Sequence, residues 1–138
     1  MTGSLSISTI TSANASDTPN QVESASYTPA SLVYTTMAVD ESGYIWIFGG
    51  YFTSGSMYLS NNLWRYNPTT NMWACWYTGN VASGATSAVA AFATKGVESA
   101  GNIVPSVNGH IMIADKKGNL WVFGGSNGIR LMFHWFYK

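Results

Sequence analysis

The chain has 138 residues, the length of one small domain, with six basic and six acidic side chains and no net charge. Charged residues make up 9% of it, against about 25% in an average soluble domain, and aromatic residues reach 14%, so Ser, Thr, Asn and Gly must form most of the surface. The lack of basic clusters argues against nucleic acid as a partner, the lone Cys75 excludes an intrachain disulfide, and no stretch approaches the ~20 apolar residues of a membrane span.

The first predicted structure is a β-hairpin. Residues 1–21 are dominated by Ser, Thr, Asn and Ala without periodicity, which indicates a flexible lead-in. Leu32 to Val39 is rich in β-forming residues and precedes a polar turn that begins at Asp40 and Glu41. Tyr44 to Phe48 then alternates between aromatic and aliphatic residues, so the two segments are predicted to pair as antiparallel strands.

A Gly/Ser-rich segment, residues 51–61, follows and is predicted to be a loop. Its apolar centre is a candidate partner-binding loop: Met57, Tyr58 and Leu59.

Two further strands are predicted around a proline turn. Asn62 to Asn67 and Asn71 to Tyr77 flank Pro68, which presets φ for the first central position of a turn. All four strands are joined by turns, so one antiparallel sheet is expected.

Part of this pattern returns later in the chain. Val22 to Gly50 aligns with Val97 to Gly125 at an offset of 75 residues, with one compensated slip near the prolines. The second copy predicts strands at Asn108 to Ala114 and Asn119 to Gly124, with Asp115 in the turn. Residues two apart on a strand share a side, so Trp46 with Phe48, and Trp121 with Phe123, should each lie on one face. The second strand of this copy is expected to be an unpaired edge.

The run IWIFGG, followed by NNLWRYNPTTNMW, resembles a kelch repeat, the blade of a β-propeller. The linking segment, Ala93 to Pro105, also resembles the long interblade loop of a Gly/Ser/Asn-rich microbial subgroup of kelch proteins, similar in type to the central domain of galactose oxidase. The entry to each copy departs from the family pattern, because Pro29 and Pro105 are kept while the usual glycine and arginine after them are missing. The motif residues of the resemblance are Trp46, Phe48, Gly49, Gly50, Trp64, Tyr66, Trp73, Trp121, Phe123, Gly124 and Gly125.

The resemblance implies an all-β chain of about one and a half kelch-type propeller blades. It predicts an antiparallel four-stranded meander plus a second hairpin, in an open arrangement and not a closed ring. The expected divisions are a lead-in (1–21), a repeat region (22–125) and an aberrant apolar tail (126–138). Within the repeat region they are a blade (22–77), an interblade loop (78–105) and a partial blade (106–125).

The tail, SNGIRLMFHWFYK, has two interpretations. It is either a non-homologous end to a gene model that stops early, or a terminal strand that closes against the first hairpin.

No catalytic constellation is visible in the sequence. His110 and His134 are the only histidines, and without a third ligand at metal spacing they predict no metal site. Cys75 lies between two tryptophans and is expected to serve blade packing. No cofactor is predicted, and the chain is expected not to be an enzyme.

The predicted function is a non-catalytic binding or scaffolding module, a fragment of a larger propeller that mediates protein-protein interaction. Self-association through open blade edges is also expected. The alternatives are a carbohydrate-binding surface that uses exposed Trp or Tyr, and a remnant of a galactose-oxidase-like enzyme without its active site.

Overall fold

The computed structural model describes residues 21–54, 56–77, 104–126 and 134–137, with only the backbone described at 53–54, 56–58 and 134–137. Every regular element in these ranges is a β-strand. The described residues therefore include no helix long and apolar enough to cross a membrane. The strands are β1 (Thr36–Val39), β2 (Ile45–Phe48), β3 (Tyr51–Ser54), β4 (Ser56–Leu59), β5 (Leu63–Asn67), β6 (Met72–Tyr77), β7 (Asn108–Ala114), β8 (Leu120–Ser126) and β9 (His134–Tyr137).

The first sheet is the predicted antiparallel meander, with strand order β1-β2-β5-β6. Its first strand begins at Thr36 and not at Leu32. The reason is Tyr34, whose φ of 54° is incompatible with an extended strand. Val33 still forms an isolated bridge with Tyr51 on the far side of this break.

The segment predicted as a loop at 51–61 instead contains a second hairpin, β3-β4, so that prediction was wrong. Tyr51 pairs with Leu59 and Phe52 with Tyr58. Aromatic and aliphatic residues on both sides of a short Gly/Ser stretch favour such pairing, and the high Gly/Ser content hid this signal.

The third sheet has the order β7-β8-β9, and its β7-β8 hairpin is the predicted second hairpin. The expectation that Asn119 to Gly124 forms an unpaired edge was wrong, because β9 pairs antiparallel with β8. The tail therefore forms a terminal strand, but this strand completes the hairpin of the second copy and not that of the first. The arrangement of the sheets is all-β and open.

The two copies share their turn chemistry at atomic level. Asp40 Oδ1 accepts the backbone N–H groups of residues 42 and 44, and Asp115 Oδ1 accepts those of residues 117 and 119. The other carboxylate oxygen accepts the indole N–H, at 2.7 Å for Trp46 and 3.0 Å for Trp121. In each copy the aspartate side chain accepts from the backbone amides two and four residues after it, which forms an Asx-type turn between the two strands of the hairpin. The aspartates are therefore turn residues, as predicted.

Each copy has two opposite faces, which the strand registers define. The Trp face carries Thr36, Ala38, Trp46 and Phe48 in the first copy, and Ile111, Ile113, Trp121 and Phe123 in the second. The Met face carries Met37, Val39, Ile45 and Ile47 in the first copy, and Met112, Ala114, Leu120 and Val122 in the second. The two predicted pairs, Trp46 with Phe48 and Trp121 with Phe123, thus each share a face.

The core lies where the Trp face of the first copy packs on the Met face of the second. The two faces meet in one hydrophobic cluster, and strand β1 lies against β7. The buried members of the cluster are Ala38, Trp46, Phe48, Leu63, Val107, Met112, Leu120 and Val122.

The first glycine of each Gly-Gly pair has different neighbours in the two copies because only the first copy's Trp face is packed on the other copy. Gly49 has φ +63°, and a Cβ there would lie 2.4 Å from the carbonyl oxygen of Val107 and 2.9 Å from the His110 ring. Its counterpart Gly124 has φ +73°, and among the described residues no atom lies within 4 Å of a Cβ placed there. The other copy therefore fills the space beside Gly49, and no described residue fills the equivalent space beside Gly124.

We predict that Gly49→Ala destabilises the chain more than Gly124→Ala. Both changes put an L-residue at positive φ, which costs about 1–2 kcal/mol. Gly49→Ala also forces a methyl group against backbone, which should add about 1–3 kcal/mol. Urea denaturation measures the difference, and equal losses in the two variants would contradict the packing of the copies.

Candidate interaction surface

The outer face of the second copy carries four exposed apolar side chains on β7 and β8. Strands β7 and β8 alternate buried and exposed positions, and the exposed ones are those of the Trp face. Ile111 is 63% exposed, Ile113 58%, and Trp121 and Phe123 44% each. Ile111 lies opposite Phe123 and Ile113 opposite Trp121 in the register. Directly opposed side chains are close neighbours, so the four form one continuous surface.

Asp115 holds Trp121 at the rim of this surface. The hydrogen bonds from the Asn119 side chain and from the Trp121 indole keep the pKa of the Asp115 carboxyl well below its usual range. The carboxylate is therefore ionised throughout the neutral and mildly acidic range. An ionised acceptor makes a stronger hydrogen bond, which orients the indole ring.

The Met face of the first copy is the second exposed apolar area. Met37 is 65% exposed and Val39 59%, and both Ile45 and Ile47 are half-buried. Their counterparts in the second copy, Met112 and Leu120 among them, are buried in the core.

His110 lies between the copies and not on either open face. It is 3% exposed, and its ring centre lies 5.4 Å from that of Phe48 in an edge-to-face contact. Neither ring nitrogen has a hydrogen-bond partner, and burial lowers the pKa of the imidazole to about 4. His110 is therefore neutral at physiological pH.

The residues the structure describes include no group of three or more His, Cys, Asp or Glu placed to hold a metal ion. Cys75 is buried, with Sγ 3.8 Å from the carbonyl oxygen of Tyr77. The side chain of His134 lies outside the described residues.

Arg65, which pairs with Trp46 in the register of the first sheet, forms a polar clasp beside the core. Its guanidinium lies between the rings of Tyr44 and Trp76, at 4.2 and 4.1 Å from their centres, and pairs with Glu23 at 3.2 Å. Hydrogen bonds from Thr70, then from Asn67, and the charge of Arg65 hold the pKa of Glu23 below its usual value.

The same clasp brings the N-terminal segment onto the edge of β6. The backbone N–H of Ser24 donates to Trp73 O at 2.9 Å, and that of Gln21 donates to Cys75 O at 3.2 Å. The clasp was missed in the sequence, where its signal was a single arginine inside a Trp-rich hairpin.

The structure divides the predicted motif residues between several environments. Trp46, Phe48 and Trp64 are buried, and the Tyr66 ring contacts that of Trp73 in a tilted arrangement with ring centres 4.9 Å apart. Gly49 and Gly50 are buried between the copies, and the N–H of Gly50 donates to Val107 O at 2.7 Å. Trp121 and Phe123 lie on the outer face, while Gly124 and Gly125 continue β8 beyond them.

The predicted partner-binding loop, Met57 to Leu59, forms most of strand β4 and includes a buried residue. Leu59 is 5% exposed and belongs to the interior, so its side chain is not open to a partner. The side chains of Met57 and Tyr58 lie outside the described residues. On β1 and β7, the exposed apolar residues that were not predicted from the sequence are Met37, Val39, Ile111 and Ile113. Their signal was strict alternation with less exposed neighbours along each strand.

Comparison of the chain with protein families, with curated proteins and with solved structures gives no match. The kelch resemblance therefore stays a prediction from the motif residues.

We predict that acidification destabilises the chain through His110. The folded-state pKa, about 4, lies below the ordinary value of 6.5, so the unfolded chain binds more protons between these values. The stability from neutral burial is fully present above pH 6.5 and is lost as pH falls towards 4, by about 3 kcal/mol in all.

Urea denaturation across this pH range tests the prediction. His110→Leu should flatten the dependence, while His134→Asn, which removes the other histidine, should leave it largely unchanged. If His110→Leu kept the full slope, another group would be responsible.

Proposed function

We propose that this chain is a non-catalytic, kelch-like interaction module that binds a protein through the Trp face of its second copy. The observation that carries the proposal is the continuous outer surface of Ile111, Ile113, Trp121 and Phe123. Exposed apolar patches of this kind are typical of binding sites, because covering them removes apolar surface from water and lowers the free energy of the system.

The composition of the surface suits a protein partner. Interface centres are enriched in aromatic side chains and depleted of charge, and their rims are polar. Here the centre is aromatic and aliphatic, and the exposed Lys116 and Lys117 lie in the adjoining turn. The antiparallel pairing of β7 and β8 holds these side chains in fixed positions, which lowers the entropy lost on binding.

A carbohydrate ligand is the second candidate, and the exposed aromatic rings favour it. Trp121 is 44% exposed and Tyr34 71%, and such rings can stack on sugars. Sugar recognition also needs hydrogen-bonding groups beside the ring. The residues that pair with Trp121 are Ile113 on β7 and Phe136 on β9. Neither carries a hydrogen-bonding side chain, so the protein partner is the better-supported proposal.

Site-specific photo-crosslinking tests the proposal. The photoreactive residue p-benzoylphenylalanine is placed at Ile113 and, as a control, at Thr69, an exposed position in the turn between β5 and β6. We expect discrete protein adducts from position 113 in an extract of the source organism, and none from position 69.

A glycan array run in parallel tests the second candidate. No protein adduct at position 113, together with glycan binding that Trp121→Ala abolishes, would overturn the proposal in favour of a carbohydrate ligand.

A further inference from the structure

We infer that the partner of the second copy's Trp face is the Met face of the first copy in another molecule of this chain. The molecules would then associate head to tail. This inference rests on the proposed function, because it names the protein that the Trp face binds.

The contact inside the chain shows that these two kinds of face fit each other. The Trp face of the first copy is buried on the Met face of the second, with Phe48 against His110 and Ala38, Trp46 and Met112 in one cluster. The copies share their register, since Thr36 pairs with Phe48 as Ile111 pairs with Phe123. A Trp face and a Met face from two molecules would therefore present matching backbones. The Trp and Phe of the Trp face are kept, and Ile111 and Ile113 are larger than their counterparts Thr36 and Ala38.

Each molecule leaves one face of each kind exposed. The Trp face is exposed at Ile111 and Ile113 in the second copy, and the Met face at Met37 and Val39 in the first, each residue being more than half exposed. These are opposite outer faces of the stacked pair of hairpins. One molecule can therefore offer its Trp face to a neighbour while it accepts another neighbour on its Met face.

The space beside Gly124, where no atom of the described residues lies within 4 Å of a Cβ, points to the same occupant. Beside its counterpart Gly49, that space is filled by the Val107 carbonyl and the His110 ring. At the 75-residue offset, these correspond to Leu32 and Thr35 of the first copy. Both residues lie at the start of the first copy's hairpin, so docking of a second molecule would bring them to Gly124.

The contact is heterologous, because the two faces differ. Such contacts do not stop at a symmetric dimer; they close a ring or continue as an open chain. Association by faces also differs from the edge pairing that the sequence predicted, since β9 already covers the edge of β8.

Two single substitutions and their mixture test the inference. Ile113→Glu blocks the Trp face and Val39→Glu blocks the Met face, and both positions are more than half exposed. In sedimentation velocity, we expect the wild-type chain to show an average mass that rises with concentration. Each variant alone should lose association by about tenfold or more, because a charge is buried in the contact.

The equimolar mixture gives the decisive result. One intact Trp face and one intact Met face remain in it, so it should form a heterodimer and nothing larger. Circular dichroism and the urea midpoint check that each variant is folded. If a Glu variant is unfolded, Ile113→Thr or Val39→Thr replaces it, since threonine keeps the β-branched shape.

Three results would overturn the inference: a wild-type chain that is monomeric at every concentration, a Val39→Glu variant that still dimerises, or a mixture that behaves like its components. Photo-crosslinking at Ile113 separates this failure from failure of the proposed function. An adduct with a different protein would leave the proposed function standing, and no protein adduct would remove both.

Discussion

The packing of the first copy's Trp face on the second copy's Met face is the contact on which the structure depends. A two-stranded hairpin is at best marginally stable alone and needs an apolar layer against it. The layer here is the other copy of the same motif, and Phe48, His110 and Met112 meet across it. The Gly50 N–H bonded to the Val107 carbonyl fixes the spacing of the two backbones.

Several local features become intelligible from this contact. Gly49 must lack a side chain because the Val107 carbonyl occupies the space beside it. His110 is held neutral in a site without a hydrogen-bond partner, which makes the contact sensitive to acid. The turn aspartates act within each copy: Asp40 satisfies the indole N–H of a buried tryptophan, and Asp115 orients an exposed one.

The strands of the repeat could be predicted from the sequence, because alternating side chains and turns that begin with Asp and end with Gly are local signals. Asn108 to Ala114 has the predicted bounds, and the meander has the predicted order. Alternation also separates the two faces of each strand. Alternation does not show which face packs on another sheet. The burial of Trp46 and the exposure of Trp121, at equivalent positions, therefore became known only from the packing of the two copies.

The wrong predictions concern two segments whose structure depends on which other segment they pair with. Strand β9 forms against β8 although the tail resembles no part of the repeat. The β3-β4 hairpin forms in a segment whose Gly and Ser content suggested a loop. The candidate surface was only partly predictable, since Trp121 and Phe123 belonged to the motif while Ile111 and Ile113 became notable once their exposure was known.

Native-state hydrogen exchange in Phe48→Leu tests most directly whether the two copies form one cooperative unit. Phe48 belongs to the first sheet but packs on the second copy. The account predicts that amides in the β1-β2 and β7-β8 pairings lose the same free energy of exchange, because both sheets open together. A loss confined to the β1-β2 amides, with β7-β8 protection unchanged, would contradict it.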